Sequence, residues 1–333
     1  MERKLLLRNG AFRPWAIAAM LLLPPLIAVL CCGLGRMSLP PAKLIETALL
    51  TLTGRDADPQ ARAVIFELRI PRILMAIAVG GGLGCAGAAC QALFSNPLAT
   101  PDILGVTSGT CVGAILAILL SLNMAGIQAT ALLFGLFSVF VTLRISSGKR
   151  GISILFLVLS GVMISSLFNA LSSLLKYTAD PMDKLPQITY WLMGSFTGAS
   201  YQKLLIGSPM ILVGTALIYL LRWQFNILSL SEDEARASGI HLKRMRILLV
   251  LAIPMITASS VSMCGQVGWV GLLIPHCARM MTGSNNRLVI PMSISLGASF
   301  LILIDTLSRT LTVIELPLSV LTAILGAPFS SCF

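Results

Sequence analysis

Apolar residues run in long unbroken stretches along this chain, and charged residues gather in the short connectors between them. The stretches are roughly 15–35, 68–92, 103–122, 125–143, 152–175, 203–221, 246–264, 267–281, 288–307 and 317–333. Most approach the ~20 residues that a helix needs to cross a bilayer. They are continuously apolar, not alternating with period two, which argues against a membrane β-barrel. The pattern predicts an all-α integral membrane protein of about ten transmembrane helices, with residues 1–333 forming one domain. The eighth stretch is short and carries Pro275, so it is expected to be short or broken, a state tolerable only inside protein. Arg3, Lys4, Arg8 and Arg13 before the first stretch resemble a signal peptide. That stretch has spanning length and many more follow, so it reads as a retained first helix.

Composition agrees with this pattern. Of 333 residues, 56% are apolar and 11% charged, against about 25% charged in soluble domains. A soluble enzyme, a secreted disulfide scaffold and a disordered chain are excluded. The net charge of +11 does not point to nucleic acid, because the basic residues sit in connectors rather than on one face. Starting inside and alternating, the inner connectors hold 14 basic and 5 acidic residues, and the outer ones hold 10 and 8. The positive-inside rule then places both termini in the cytoplasm. Arg69, Arg72 and Arg309 stand outside against this bias. They read either as headgroup anchors or as a docking ring for an acidic partner.

The candidate chemistry is sparse. Eight cysteines form no C-x-x-C, and there are two histidines, so neither a metal site nor a disulfide framework is supported. Gly82-Leu-Gly84-Cys-Ala-Gly87 matches G-x-G-x-x-G but lies inside a helical run without a preceding strand. Gly80, Gly84 and Ala88 recur every four residues instead, as a smooth stripe for close helix packing. No Walker A, H-E-x-x-H or G-x-S-x-G sequence is present. With few acids inside the spans, the chain reads as a pathway that borrows its energy from a partner. A secondary carrier and a membrane-embedded enzyme are the competing classes.

The longest inner connector, 222–245, is the natural contact for that partner. Ser231 and Glu234 form a capping box, and Glu232, Asp233 and Glu234 suit the positive end of a helix dipole. A short helix through Ala235 would stop at Gly239. A plain connector helix is the other reading. Asn96-Pro97-Leu98-Ala99-Thr100-Pro101-Asp102 is a cytoplasmic turn with two prolines, and Gly268-Trp269-Val270-Gly271 leads into Pro275-His276-Cys277-Ala278-Arg279; on chemistry alone both read as helix breaks and caps.

Taken together and in order, these residues resemble the FecCD family of ABC-transporter permeases over about 60–328. The landmarks are Arg69-Ile-Pro-Arg72, Gln91-Ala-Leu-Phe94, Asn96-Pro-Leu-Ala99, Pro101-Asp-Ile-Leu-Gly105, Trp191-Leu-Met-Gly-Ser195, the 231–240 loop, Gly271-Leu-Leu-Ile-Pro-His276, Asp305, Arg309 and Glu315-Leu-Pro317. The resemblance implies ten helices per subunit in a bacterial cytoplasmic membrane, and a path shared with a second copy or a paralogue. It implies that Ser231, Glu232, Glu234, Ala235 and Gly239 couple to a cytoplasmic ATPase, which holds ATP and Mg while this chain binds no cofactor. Arg69, Arg72 and Arg309 match arginines that dock a substrate-binding protein. Asn96, Pro97, Pro101, Pro275 and His276 are candidates for the cytoplasmic gate. The implied cargo is a metal chelate, foremost an iron(III)–siderophore, with cobalamin, haem or an oxyanion on the same scaffold. Family members continue the last helix further and end in basic residues. Here Ser330-Ser-Cys-Phe333 closes a last stretch at the lower limit for crossing, so a shortened end is expected.

Overall fold

The computed structural model describes residues 6–8, 11–35, 37, 40–55, 58–148, 151–152, 154–228 and 242–331. Among these, twelve helices follow one another: α1 Pro14–Gly33, α2 Pro41–Leu52, α3 Pro59–Leu93, α4 Val106–Leu119, α5 Met124–Ser146, α6 Ile154–Tyr177, α7 Lys184–Leu192, α8 Tyr201–Leu221, α9 Leu242–Cys264, α10 Val270–Thr282, α11 Asn286–Thr310 and α12 Leu318–Ser331. Two hairpins of two-residue strands, β1–β2 (Leu7–Arg8, Ala11–Phe12) and β3–β4 (Ser147–Gly148, Gly151–Ile152), sit beside helix ends. The protein is an all-helical membrane protein.

Each of the ten apolar stretches contains a helix, but their lengths differ from the expectation. Seven helices are long and apolar enough to cross a membrane: α1, α3, α5, α6, α8, α9 and α11. The third stretch is cut at Gly105, whose φ of 78° separates a 3-10 turn at Pro101–Leu104 from α4. The 14 residues of α4 reach about 21 Å, short of a ~30 Å hydrocarbon core. The eighth stretch is short as expected, but Pro275 does not break it. Pro275 is accommodated within α10, and the interruption comes earlier, at 265–269. The last stretch forms the 14 residues of α12. Two helices arise in the connectors. α2 is amphipathic with proline at its first turn, and α7 is nine residues long. Neither is long enough to register as a span.

Three helices form the centre. In their most apolar windows α3, α9 and α11 are 83%, 78% and 72% buried, whereas α1, α5, α6 and α8 are 17–28% buried. Small residues let the central helices touch. A Cβ on Gly84 would lie 2.5 Å from the Ser293 carbonyl oxygen, and one on Gly80 would overlap the Gly297 carbonyl. Ala88, the third member of this stripe, is fully buried. One turn on, Gly87 meets Gly271 of α10 backbone to backbone. In lipid, where apolar burial does not itself drive helices together, such close approach supplies the dispersion contact. Hydroxyls and amides add bonds between helices: Ser259 donates to the Gly207 carbonyl (2.7 Å), Ser138 to Gly105 (3.0 Å) and Gln128 to Lys203 (3.0 Å).

The connectors fall at two ends. At one, Lys184 Nζ donates to Ser121 Oγ (2.8 Å), Tyr201 to the Phe66 carbonyl (2.7 Å), and the Leu318 amide to the Gly194 carbonyl (2.9 Å). At the other, the Asn226 side chain bonds Asn285 Oδ1 (2.9 Å) and the Asn286 amide (2.8 Å). These are called the outer and inner ends below.

Candidate functional site

The outer end holds a cavity of about 350 Å³, lined in part by Gly35, Arg69, Arg72, Thr197, Arg309 and Glu315. Arg69 and Arg72 are separated from Arg309 by more than 230 positions, and the fold brings all three to one place. Residues Ala63–Arg69 of α3 wind as a π-helix, which turns Arg69 inward against the end of α1. There its guanidinium donates to the carbonyls of Cys32 and Met37. Arg309 donates to the carbonyls of Leu34 (2.6 Å) and Cys31 (2.7 Å). The last turn of any helix leaves carbonyls without intrahelical partners. α1 lacks a basic residue of its own there, and two distant arginines satisfy it. Gly35 makes room for them, since a Cβ at that position would lie 2.9 Å from Arg309 Nη1 and 3.1 Å from Arg69 Nη2.

Arg72 is held by acids. Its Nε donates to Asp305 Oδ1 (2.7 Å), and its two terminal nitrogens straddle Glu315 at 2.9 Å each. Asp305 also pairs with Arg309 one turn away (3.7 Å), and Thr197 donates to Glu315 Oε2 (2.8 Å). This fork geometry suits arginine and not lysine. The network ties α3, α11, the segment before α12 and the α7–α8 connector together. Arg69 and Arg309 are buried, and Arg72 keeps only 13% of its side chain exposed. The three arginines therefore line a pocket while serving internal partners, rather than standing as a projecting ring.

A second cavity, of about 440 Å³, lies between the two ends and is called the inner cleft below. The 3-10 turn contributes Thr100, Pro101 and Asp102, α4 gives Thr107 and Ser108, and α6 gives Ser165 and Asn169. Thr257 and Val261 of α9, Gln266 to Trp269, Gly271 and Leu272 of α10, and Ser319 of α12 close it. Thr107 donates to Asp102 Oδ1. The Asp102 side chain is exposed to the cleft, where desolvation by the neighbouring protein raises its pKa and the Thr107 bond opposes that shift. The segment 265–269 carries two positive φ values, Gly265 (75°) and Trp269 (67°). The Val270 amide bonds the Gly268 carbonyl (2.8 Å), which makes Trp269 the centre of a γ-turn, a strained form for a residue with a Cβ. Gly326 of α12 leaves space for its side chain.

The predicted inner residues separate. Pro101 lines the cleft, and Asn96 caps its own turn by accepting from the Leu98 amide (2.9 Å), beside exposed Pro97. Pro275 and His276 lie further along α10, outside the residues that line the cleft. On the same helix Arg279 donates to Gln91 of α3. Ser231, Glu232, Glu234, Ala235 and Gly239 lie outside the described residues. Sequence reasoning missed Asp102, Thr107, Asn169, Gln266 and Trp269 as cleft residues. Asp102, a lone acid between apolar runs, and Trp269, in the Gly268–Gly271 break, carried a visible signal, whereas Thr107, Asn169 and Gln266 carried none. Asp305 and Glu315 are among the landmarks of the resemblance, and the i,i+4 spacing of Asp305 and Arg309 is the sequence signal of their pairing.

Comparison with known proteins places this architecture. The FecCD transport family profile matches residues 22–330. A molybdate import system permease protein of Haemophilus influenzae is 38% identical over 315 residues, covering 95% of this chain and 94% of that one. A probable iron chelatin transport system permease protein of Helicobacter pylori is 37% identical over 268 residues, covering 80% of each. A solved structure described as an inward-facing conformation of a metal-chelate type ABC transporter superposes with a TM-score of 0.86 at 37% identity, covering 96% of this chain and 98% of that one.

Proposed function

From the premise that this chain belongs to the FecCD transport family, we propose that the cargo it passes is a metal chelate, specifically an iron(III)–siderophore complex. The coarser function is plain: the protein is a multi-pass permease of a binding-protein-dependent ABC importer for a metal chelate, cobalamin, haem or molybdate. The family lacks an ATPase domain, so an ATPase and a binding protein are its partners. The observation that carries the chelate reading is the 37% identity to an iron chelatin permease, together with a fold matching a metal-chelate type transporter. A second reading, molybdate, is favoured by the 38% identical relative that covers 95% of this chain. An uptake panel of ⁵⁵Fe-siderophores and ⁹⁹Mo-molybdate, in cells whose only importer contains this permease, separates the two. Molybdate uptake without chelate uptake overturns the first reading.

In the working cycle we propose, both termini and the 222–245 connector face the cytoplasm. The loaded binding protein docks at the outer cavity. What supports docking there is the convergence of Arg69, Arg72 and Arg309, with Arg72 already holding Glu315 in the manner that a partner's carboxylate would be held. ATP-driven closure of the ATPase moves the segment containing Ser231, Glu232, Glu234, Ala235 and Gly239. Two permease copies, or this chain and a paralogue, then rock so that access alternates, and the cargo crosses without chemical change. ATP can shift this equilibrium only through contacts that differ between the two states. Thr197→Cys, at an exposed position on the lip of that cavity, is expected to crosslink to the loaded binding protein in the assembled importer; uptake that continues with no crosslink there rejects docking at this cavity.

A further inference from the structure

We infer that the Asp102 carboxylate is the charge discriminator of the inner cleft, favouring neutral or cation-bearing cargo over anions. The inference rests on the importer reading for the identity of the cargo, but its electrostatic content stands on the cleft itself. Among the described residues lining the cavity, Asp102 is the one with a charged side chain, and the remaining polar groups are hydroxyls and amides. Among the described residues no guanidinium or ammonium lines it, although such groups are the usual partners of a buried oxyanion. The positive ends of two helices do reach the cleft, at Thr107–Ser108 of α4 and Gly271–Leu272 of α10. Asp102 lies beside the first of these and opposes its field. Low-dielectric walls then concentrate the effect of a single carboxylate over the whole opening. A trihydroxamate chelate, neutral or carrying a pendant ammonium, fits such a field. A tris-catecholate trianion or a molybdate dianion is repelled by it.

A purely structural role for Asp102, capping the start of α4 through Thr107, makes a different prediction. Asp102→Asn keeps an acceptor for Thr107 and removes the charge, whereas Thr107→Val keeps the charge and removes the bond. The experiment introduces Asn169→Cys into the full permease–ATPase complex in lipid vesicles, because Asn169 is exposed on the cleft wall. Labelling rates are measured with a cationic and an anionic methanethiosulfonate. Each is normalised to the same reagent on a free thiol and corrected for the protein without the new cysteine. The cationic reagent is expected to be favoured by about tenfold, within the range that a one-sign cleft produces. Asp102→Asn should bring the ratio near one, and Thr107→Val should leave it in place. A ratio that Asp102→Asn does not change overturns the inference. If that variant does not assemble, the Asn169→Cys protein is compared at about 10 mM and 1 M salt, and a ratio insensitive to salt is equally fatal. Uptake of an iron(III) trihydroxamate by the whole importer is the separate arm. Lack of uptake with an intact labelling bias defeats the cargo reading alone, and uptake without a bias defeats the Asp102 inference alone.

Discussion

The outer cavity and the inner cleft both form where apolar helices end, but they satisfy their polar groups by different means. At the outer end, three arginines and two acids from α3, α11 and the turn before α12 are locked together, and the arginines also cap α1. In the cleft, among the described residues, neutral hydroxyls and amides surround a single carboxylate, and a strained turn at Trp269 takes the place of a regular helix start. Arginines held by two acids and by helix-end carbonyls make a stiff rim, which suits the docking role proposed for it. A cleft with little fixed charge has less to hold a cargo, which suits a path that must release what enters it.

Substitutions can break or sharpen that contrast. The largest effect is expected from Asp305→Ala, which leaves Arg72 and Arg309 buried with a partner missing. Removing one member of a buried pair costs about 3–5 kcal/mol. SDS-induced unfolding of the solubilised protein should show that loss, and near-native stability would mean the outer rim is not held by its charges. Next comes Gly87→Ala at the α3–α10 contact, where overpacking against the Gly271 backbone should cost roughly 1–3 kcal/mol and slow transport. A fully active variant there would show that the two backbones can separate freely. Thr257→Val exchanges the cleft hydroxyl for a methyl but removes only a bond to its own helix, Ile253 at 2.9 Å, and should cost about 1 kcal/mol or less. A larger loss in the same unfolding assay would show that the cleft's hydroxyls are structural. The smallest effect is expected at the exposed outer pair Lys43–Asp58 (2.8 Å), where the ammonium holds the carboxyl below its usual range. Solvent screens such a pair. Asp58→Asn should leave the unfolding midpoint at neutral pH within error, and a marked drop would extend the stiff outer network to α2.

Much of the fold was legible because a bilayer imposes one dominant constraint, an apolar run of set length. That constraint identified the ten helical stretches. It failed where a helix need not cross alone. α4 is cut at Gly105, and α10 starts late, after 265–269, because surrounding helices can satisfy the backbone groups so released. The site was legible only in part. Arg69, Arg72 and Arg309 stood out as outer cations against the charge bias, but their burial against α1 could not be read from spacing. Ser165, Asn169 and Gln266 carry no mark in the sequence, since a serine or amide in a helix reads the same whether it faces a cleft, a carbonyl or a neighbour.

The sequence by itself determined that this chain is a multi-helix membrane protein, that its charges divide between two sides, and which family it resembles. These follow from composition, run length and ordered short motifs, all properties of the chain taken locally. The tertiary structure alone decided that Arg72 is shared between Asp305 and Glu315, that two arginines finish a helix more than thirty residues away, and that Asp102 looks into a cleft of neutral groups. Those facts depend on which distant segments meet, and in lipid that is settled by packing between backbones such as Gly80 on Gly297 and Gly87 on Gly271, not by the hydrophobicity that all the helices share.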